Sequence, residues 1–327
     1  MSKNTPKQTR TNYQIIIFFF HEAKLENKIL NCTTFKLVIM AGKIQVGYLV
    51  SYDYELLKNS LPTVYKESDT IFLAIDKNRK TWKGDAIEIN PDFFDWIKTF
   101  DVDNKIVLFE EEFYVPTLTT MQCEVRERKM LAEKMGIGNW LIQIDADEYF
   151  LDFKSFADFL KSKNHFLKNP EKTPVQVSPF LINLYKRLDE GLLYVEKPTK
   201  QLLATNFPNY KVGRQTRQRI IYFRGLILHE CLSRTKEELE FKLDNWGHNV
   251  DVNKKQFLEK WEAVNQDNYK SMENFFYLEP EKWKKLAFVK GTTIKEVEEN
   301  LDLSKAVPSD FYILKKNFGQ WFKFLFR

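Results

Sequence analysis

The strongest constraint in this chain is the stretch Trp140-Leu141-Ile142-Gln143-Ile144, which runs directly into Asp145-Ala146-Asp147-Glu148-Tyr149. A short apolar run of this kind reads as a buried strand. Two carboxylates two residues apart at its carboxyl end repel one another, and a divalent cation is the simplest way to offset that repulsion. In open α/β sheets, ligands bind outside the carboxyl ends of the strands. Asp145 and Asp147 therefore point to a Mg²⁺ or Mn²⁺ site that clamps a diphosphate. The plain alternative is a strand followed by a polar turn with a capping aspartate.

From residue 43 onward, apolar runs alternate with helical periodicity, the pattern of a βαβ sheet. Strands are expected at 44–50, at 71–75 closing on Asp76, and at 106–109. Helices are expected over 54–66, from Pro91 with Phe93, Phe94, Trp96 and Ile97, and over 117–135 up to the stop at Gly136. After the Asp-x-Asp strand come a short helix at 153–163 and a hairpin of 175–184 with 192–195. Residues 199–218 read as irregular. A strand over 220–228 ends in His229-Glu230, and Thr235 with Glu238 forms a capping box for a helix over 236–245. The remainder reads as helical. No linker rich in Gly, Pro or Ser divides this body, so the expectation is one α/β domain over 43–250 with a helical C-terminal extension over 251–327.

Charge argues against a nucleic-acid partner once it is located. Of the formal net charge of +5, residues 1–42 account for +4, with six Lys or Arg against Glu22 and Glu26. The remaining chain is nearly neutral and has no electrostatic footprint for DNA or RNA. Cys32, Cys123 and Cys231 are far apart and include no Cys-x-x-Cys pair. That is neither a disulfide framework nor a cysteine zinc site, and it fits a reducing, cytoplasmic setting. In residues 1–42, the apolar run Ile15–Phe20 is too short for a secretory core or a membrane span. The first clear strand pattern follows Met40 closely, so Met40 is expected to be the natural start, with the preceding residues a non-native or disordered extension; a weak membrane-surface segment is the rival reading.

Several segments together resemble a GT-A glycosyltransferase, close to family 2 and its bacterial lipopolysaccharide-core branch. Ser51-Tyr52-Asp53 followed by Glu55-Leu56-Leu57 and Ser60-Leu61 is similar to the family's opening strand and helix. Asp76 stands where the family has a nucleotide-binding aspartate. Arg128-Lys129 resembles its Arg-Asn pair, with Lys in place of Asn, and Trp140–Glu148 is similar to its Asp-x-Asp block. The likeness runs over about 43–250 in order and spacing. It implies a mixed, mainly parallel Rossmann-like sheet flanked by helices. It also implies a metal-dependent, inverting hexosyltransferase of surface-polysaccharide biosynthesis that uses Mn²⁺ or Mg²⁺. Its partners would be a nucleotide-sugar donor and a glycan or lipid-linked acceptor.

Transfer from such a donor builds negative charge on a departing diphosphate, which a metal held by carboxylates neutralises. Asp147 would contact the metal directly, and Asp145 would act through the metal or the ribose. The resemblance implies a late histidine on the metal, for which His229 is preferred and His248 is the alternative. The acceptor hydroxyl needs a base; Glu230 is the first candidate and Glu148 the second, either of which could instead hold an Arg or His. Tyr52 and Asp76 would hold the nucleotide, although Asp76 also fits a simple helix cap. Arg128, with Arg214, Arg217 and Arg219, could grip the diphosphate. The aromatic, basic tail over 311–327 suits a peripheral contact with the inner face of a membrane, or packing on the catalytic domain. Two other classes compete: a nucleotidyltransferase, disfavoured because Ser51-Tyr52-Asp53-Tyr54 contains no glycine for a phosphate loop, and a non-catalytic sugar-nucleotide or carbohydrate-binding subunit.

Overall fold

The computed structural model describes residues 42–251, 253–276 and 278–325; the expectation about residues 1–41 lies outside them. Three apolar runs form the parallel strands β1 (Ile44–Val50), β2 (Thr70–Asp76) and β3 (Ile106–Glu111). Between them run α1 (Leu57–Tyr65), entered through a 3-10 turn, and α2 (Pro91–Phe100), whose Asn90 cap and Pro91 start fix its first turn. α3 (Thr120–Met135) opens with a Thr119/Gln122 capping box and stops at Gly136, which takes a φ of 87°. β4 (Trp140–Asp145) follows and pairs parallel to β1. The resulting spatial order β3-β2-β1-β4 is the Rossmann order of a doubly wound sheet, with its reversal point between β1 and β4.

Side-chain alternation distributes these strands between two layers. Ile44, Val46, Tyr48 and Val50 of β1 face α1, α2 and the later helix α4 (Phe153–Ser162). Leu49 with Leu141 of β4 faces Leu131, Ala132 and Met135 of α3. Gly47 points at the same helix, and the close approach of α3 depends on its missing side chain. A Cβ there would lie 2.8 Å from Leu131 Cδ2 and 2.9 Å from Met135 Sδ.

The second half of the sheet is mixed. β5 (Glu148–Phe150) is a short strand; β6 (Val175–Leu188) and β7 (Gly191–Val195) form the expected hairpin. β8 (Thr199–Lys200) and β9 (Ala204–Thr205) occupy the stretch read as irregular, β9 bridging β4 to β6. β10 (Arg219–His229) runs parallel to β6 and antiparallel to β5, so His229 stands beside both Asn183 and Glu148. A bulge interrupts the β10–β6 ladder between Tyr222 and Leu226.

Beyond β10 lie α5 (Lys236–Asn245), with the Thr235/Glu238 capping box, and α6 (Lys254–Ala263). The stretch 286–290, read as helical, is instead the strand β11 (Leu286–Lys290), added antiparallel to β7. The four-residue apolar run Leu286–Val289 gains more from an open strand edge than from a helix too short to nucleate. α7 (Ile294–Asn300), α8 (Leu303–Ala306) and the C-terminal helix α9 (Asp310–Leu325) complete the chain, α7 and α8 packing with β6, β10 and β11 in a separate apolar cluster. The architecture is thus a mixed α/β fold with a mainly parallel core sheet between helices and a C-terminal helix. Among the described residues, no helix is long and apolar enough to cross a membrane.

Gly47→Val should lower stability by about 1–3 kcal/mol by forcing α3 off the sheet. Urea unfolding would register this as a lower midpoint at unchanged slope; an unshifted midpoint would mean that α3 yields without strain.

Candidate functional site

A cavity of about 830 Å³ opens at the carboxyl ends of β1 and β4, the place where the strand order reverses. Strand alternation sends Asp145 to the α3 face, where Arg128 meets it. Arg128, almost wholly buried, donates from Nη2 to Asp145 Oδ1 at 2.9 Å and from Nε to Glu124 Oε1 at 2.9 Å. Arg214 lies 3.3 Å from the other Asp145 oxygen. Burial alone would raise the Asp145 carboxyl, but the two guanidinium groups hold it below the ordinary carboxylate range.

Asp147 is more enclosed. Its Oδ2 accepts from Lys242 Nζ at 2.6 Å and from Arg234 Nη2 at 2.7 Å. Lys242 comes from α5, and Arg234 from the residue before that helix's cap. Burial again opposes ionisation, yet Lys242, His229 and Arg234 together hold Asp147 well below the usual range. Arg234 also reaches Asp53 at 3.3 Å. Burial, followed by the charges of Asp147 and Asp145, raises the Asp53 carboxyl despite that partner.

His229 faces the remaining oxygen of Asp147, with Nε2 3.6 Å from Oδ1. Its Nδ1 lies 2.9 Å from Asn183 Oδ1, while the Asn183 amide nitrogen donates to Thr199 Oγ1 at 3.0 Å. That arrangement puts a proton on Nδ1 and turns Nε2 toward Asp147. Burial lowers the His229 pKa, against the charges of Asp147 and Glu148, which raise it. His248 lines the same cavity elsewhere, edge-on to Trp246 and next to Gly247, whose carbonyl accepts from Thr120 at the start of α3. Among the described residues, no group of three or more His, Cys, Asp or Glu is placed to hold a metal.

The two carboxylates expected as bases have different surroundings. Glu148 is fully buried, accepts from both terminal nitrogens of Arg214 at 2.6 Å, and also takes Gln201 and the Asp145 backbone N–H. Glu230 accepts from Tyr149 Oη at 2.5 Å and pairs with Arg187. Neither lines the cavity. Glu230 follows the cavity-facing His229 and by alternation faces away, whereas Glu148, in register with His229, is covered by Arg214 and Gln201, which themselves line the cavity. Both carboxylates are committed to an arginine.

Asp76 lines the cavity, but its carboxylate is committed to backbone. Oδ1 accepts from the N–H groups of Asn78 and Lys80, and Oδ2 from those of Phe113 and Tyr114, all at 2.9–3.2 Å. It orders two loops, close to the cap alternative. Tyr52 also lines the cavity and packs edge-on against Phe241 at 5.1 Å. Lys129 points outward, away from this cavity; of the basic cluster, only Arg214 reaches it, and Arg217 and Arg219 do not.

Sequence reasoning gave no role to Arg234, Lys242, Asn183 or Glu127. The first three sit on ordinary-looking loop, helix and strand positions, and only the folded register brings them to Asp147 and His229. Glu127 lies one helical turn from Glu124 on the inner face of α3, a spacing that could have flagged it. It lines the cavity and accepts from Trp82 Nε1 at 2.6 Å.

No family model matches the chain, and no curated protein matches it. Among solved structures, one similar chain is "Crystal structure of S. aureus TarS 1-349", 12% identical, covering 45% of this chain and 36% of that one at a TM-score of 0.24. At that score the likeness carries no argument, and the fold class stands on the strand order and pairings themselves.

Burial pushes the Glu127 carboxyl up to about 8, against a lesser pull from Trp82. A folded-state pKa raised in this way favours folding fully below the unfolded value of about 4.3, and that contribution is lost as pH rises through the folded value. Glu127→Gln, which mimics the neutral acid, should flatten the fall in stability between about pH 4.5 and 8. The variant should then be more stable than the parent by at least about 1 kcal/mol at alkaline pH. Urea titrations at pH 5 and pH 8.5 measure this; equal slopes for parent and variant would show Glu127 ionised throughout.

Proposed function

We propose that the chain is a glycosyltransferase that moves a hexose from a nucleotide-diphosphate sugar to a glycan or lipid-linked acceptor, with inversion, assisted by Mn²⁺ or Mg²⁺. The observation that carries the reading is the pairing of Asp147 Oδ1 with His229 Nε2, 3.6 Å apart at the reversal point of a Rossmann-like sheet. Side by side, they would offer a cation one carboxylate oxygen and one imidazole nitrogen. The ion pairs around them form two clusters: Glu124, Asp145 and Glu148 with Arg128 and Arg214, which leaves one negative charge over, and Asp53 and Asp147 with Arg234 and Lys242, which balances.

One carboxylate and one imidazole suit Mn²⁺, and Mg²⁺ sites commonly use one or two carboxylates with substrate phosphates. When bound, the cation would neutralise the charge that grows on the leaving diphosphate. The chain's own residues supply the rest. Arg128 and Arg214 hold Asp145 ionised and in place, and Asn183 fixes the His229 tautomer. Lys242, which lines the cavity beside Asp147, would add positive charge to a bound diphosphate, while Arg234 holds Asp147 from outside the cavity lining. Tyr52 offers a ring against which a nucleobase can pack. The buried, unpaired thiols of Cys123 and Cys231 agree with a cytoplasmic setting.

The test is thermal unfolding of the full chain with nucleoside diphosphates and nucleotide sugars, each with and without Mn²⁺. At about a hundredfold excess over Kd, one nucleotide with Mn²⁺ should stabilise by about 2.7 kcal/mol, a rise in Tm of roughly 5 °C. In His229→Gln, the Mn²⁺-dependent part should vanish while the folded protein persists. A folded chain that answers to no nucleotide would sink the transferase reading and favour carbohydrate binding.

A further inference from the structure

The C-terminal helix α9 carries two faces with different tasks. Its inner face closes the outer edge of β10. Tyr222 donates its backbone N–H to Asn317 Oδ1 at 2.7 Å and accepts from Asn317 Nδ2 at 3.0 Å, and the Ile220 N–H donates to Gln320 Oε1 at 3.3 Å. Side chains here do what a neighbouring strand would do, so the helix is fixed to the sheet edge.

Its outer face is apolar and uncovered. Phe311, Leu314, Phe318, Trp321 and Phe322 are between 42% and 74% exposed, and their spacing at about 3.6 residues per turn gathers them into one stripe. Lys315 lies along one edge of this stripe, with Lys316 and Lys323 on the same flank, and the helix has no acidic residue after Asp310. Aromatic residues in a stripe beside lysines, on a helix not apolar enough to span a bilayer, match a helix lying in the plane of an anionic lipid surface.

The flank with the lysines is the flank nearest the cavity. Tyr312, with Lys316 above its ring, contacts Phe180 of β6 at 6.2 Å between ring centroids. Phe180 is paired in register with Lys200 of β8, and Lys200 lines the cavity together with Lys282. Partial burial, and then the charges of Lys282, Lys316 and Lys323, lower the Lys200 pKa, so these ammonium groups form one electropositive zone.

We propose that the outer face of α9 docks on an anionic lipid bilayer and thereby brings the Lys200/Lys282 side of the cavity to acceptors carried in that bilayer. The second part rests on the transferase reading; the first does not. Charge complementarity selects the occupant, because a second copy would set one row of lysines against another.

The test is co-sedimentation of the full chain with phosphatidylcholine vesicles, with and without phosphatidylglycerol, alongside nucleotide-binding thermal shifts. Binding should require the anionic lipid and weaken with salt. Phe318→Ser and Trp321→Ser should each lower vesicle affinity by at least about tenfold. Lys315→Gln and Lys323→Gln should each lower it by about fivefold. Asn317 and Gln320 are left intact, so the thermal midpoint should stay near that of the parent. A folded chain that ignores anionic vesicles, or binds them equally well in the aromatic variants, overturns the proposal. So does light scattering that shows a dimer split by Phe318→Ser. Vesicle binding without any nucleotide response would keep the lipid face and drop the transferase reading instead.

Discussion

The neutralisation of Asp145 and Asp147 is the interaction on which the rest of this structure depends. Two carboxylates at the end of a buried strand are tolerated only if cations reach them, and these come from separate parts of the chain: α3, the loop before β10, the residue before the α5 cap, and α5 itself. Each element is tied to the sheet through a charge as well as through apolar packing. Removing one member of such a network strands its partner without water, which is typically more damaging than replacing both by apolar groups. The network therefore places α5 and α3 relative to β4 more sharply than their modest apolar faces would.

The sheet itself was largely legible in the sequence. Periodicity located β1 to β4, the β6–β7 hairpin and β10, and the Thr235/Glu238 box marked the start of α5, because these signals are local. The short strands β5, β8, β9 and β11 were not, since two to five residues have too little pattern and become strands only when a neighbour offers an open edge. β11 shows this most clearly: its apolar run lies in a stretch of otherwise helical composition and is extended only because β7 had a free side.

The site was half legible. Asp145 and Asp147 stood out because charge at the end of an apolar strand costs free energy and calls for a reason. Lys242 and Arg234 did not stand out, because a lysine on a helix and an arginine in a loop are ordinary until the fold brings them to one carboxylate. Glu148 and Glu230 were expected at the rim because they adjoin Asp147 and His229 in sequence, but neither lines the cavity: Glu230 alternates away from His229, and Glu148 is covered by Arg214 and Gln201. Asp76, expected to hold the nucleotide, does line the cavity, but the backbone N–H groups that occupy its carboxylate carry no signature in sequence.

The bulge in β10 takes on a different meaning in that light. Between Tyr222 and Leu226 the strand advances four residues while β6 advances two, from Ser178 to Phe180. The surplus is even, so parity is conserved downstream and the imidazole of His229, not the carboxylate of Glu230, arrives beside Asp147. An odd surplus would exchange them. The strand can thus absorb insertions only in pairs ahead of the site, whereas the surrounding loops carry no such arithmetic, and the history of the site should be written in substitutions within β10 and in length changes outside it.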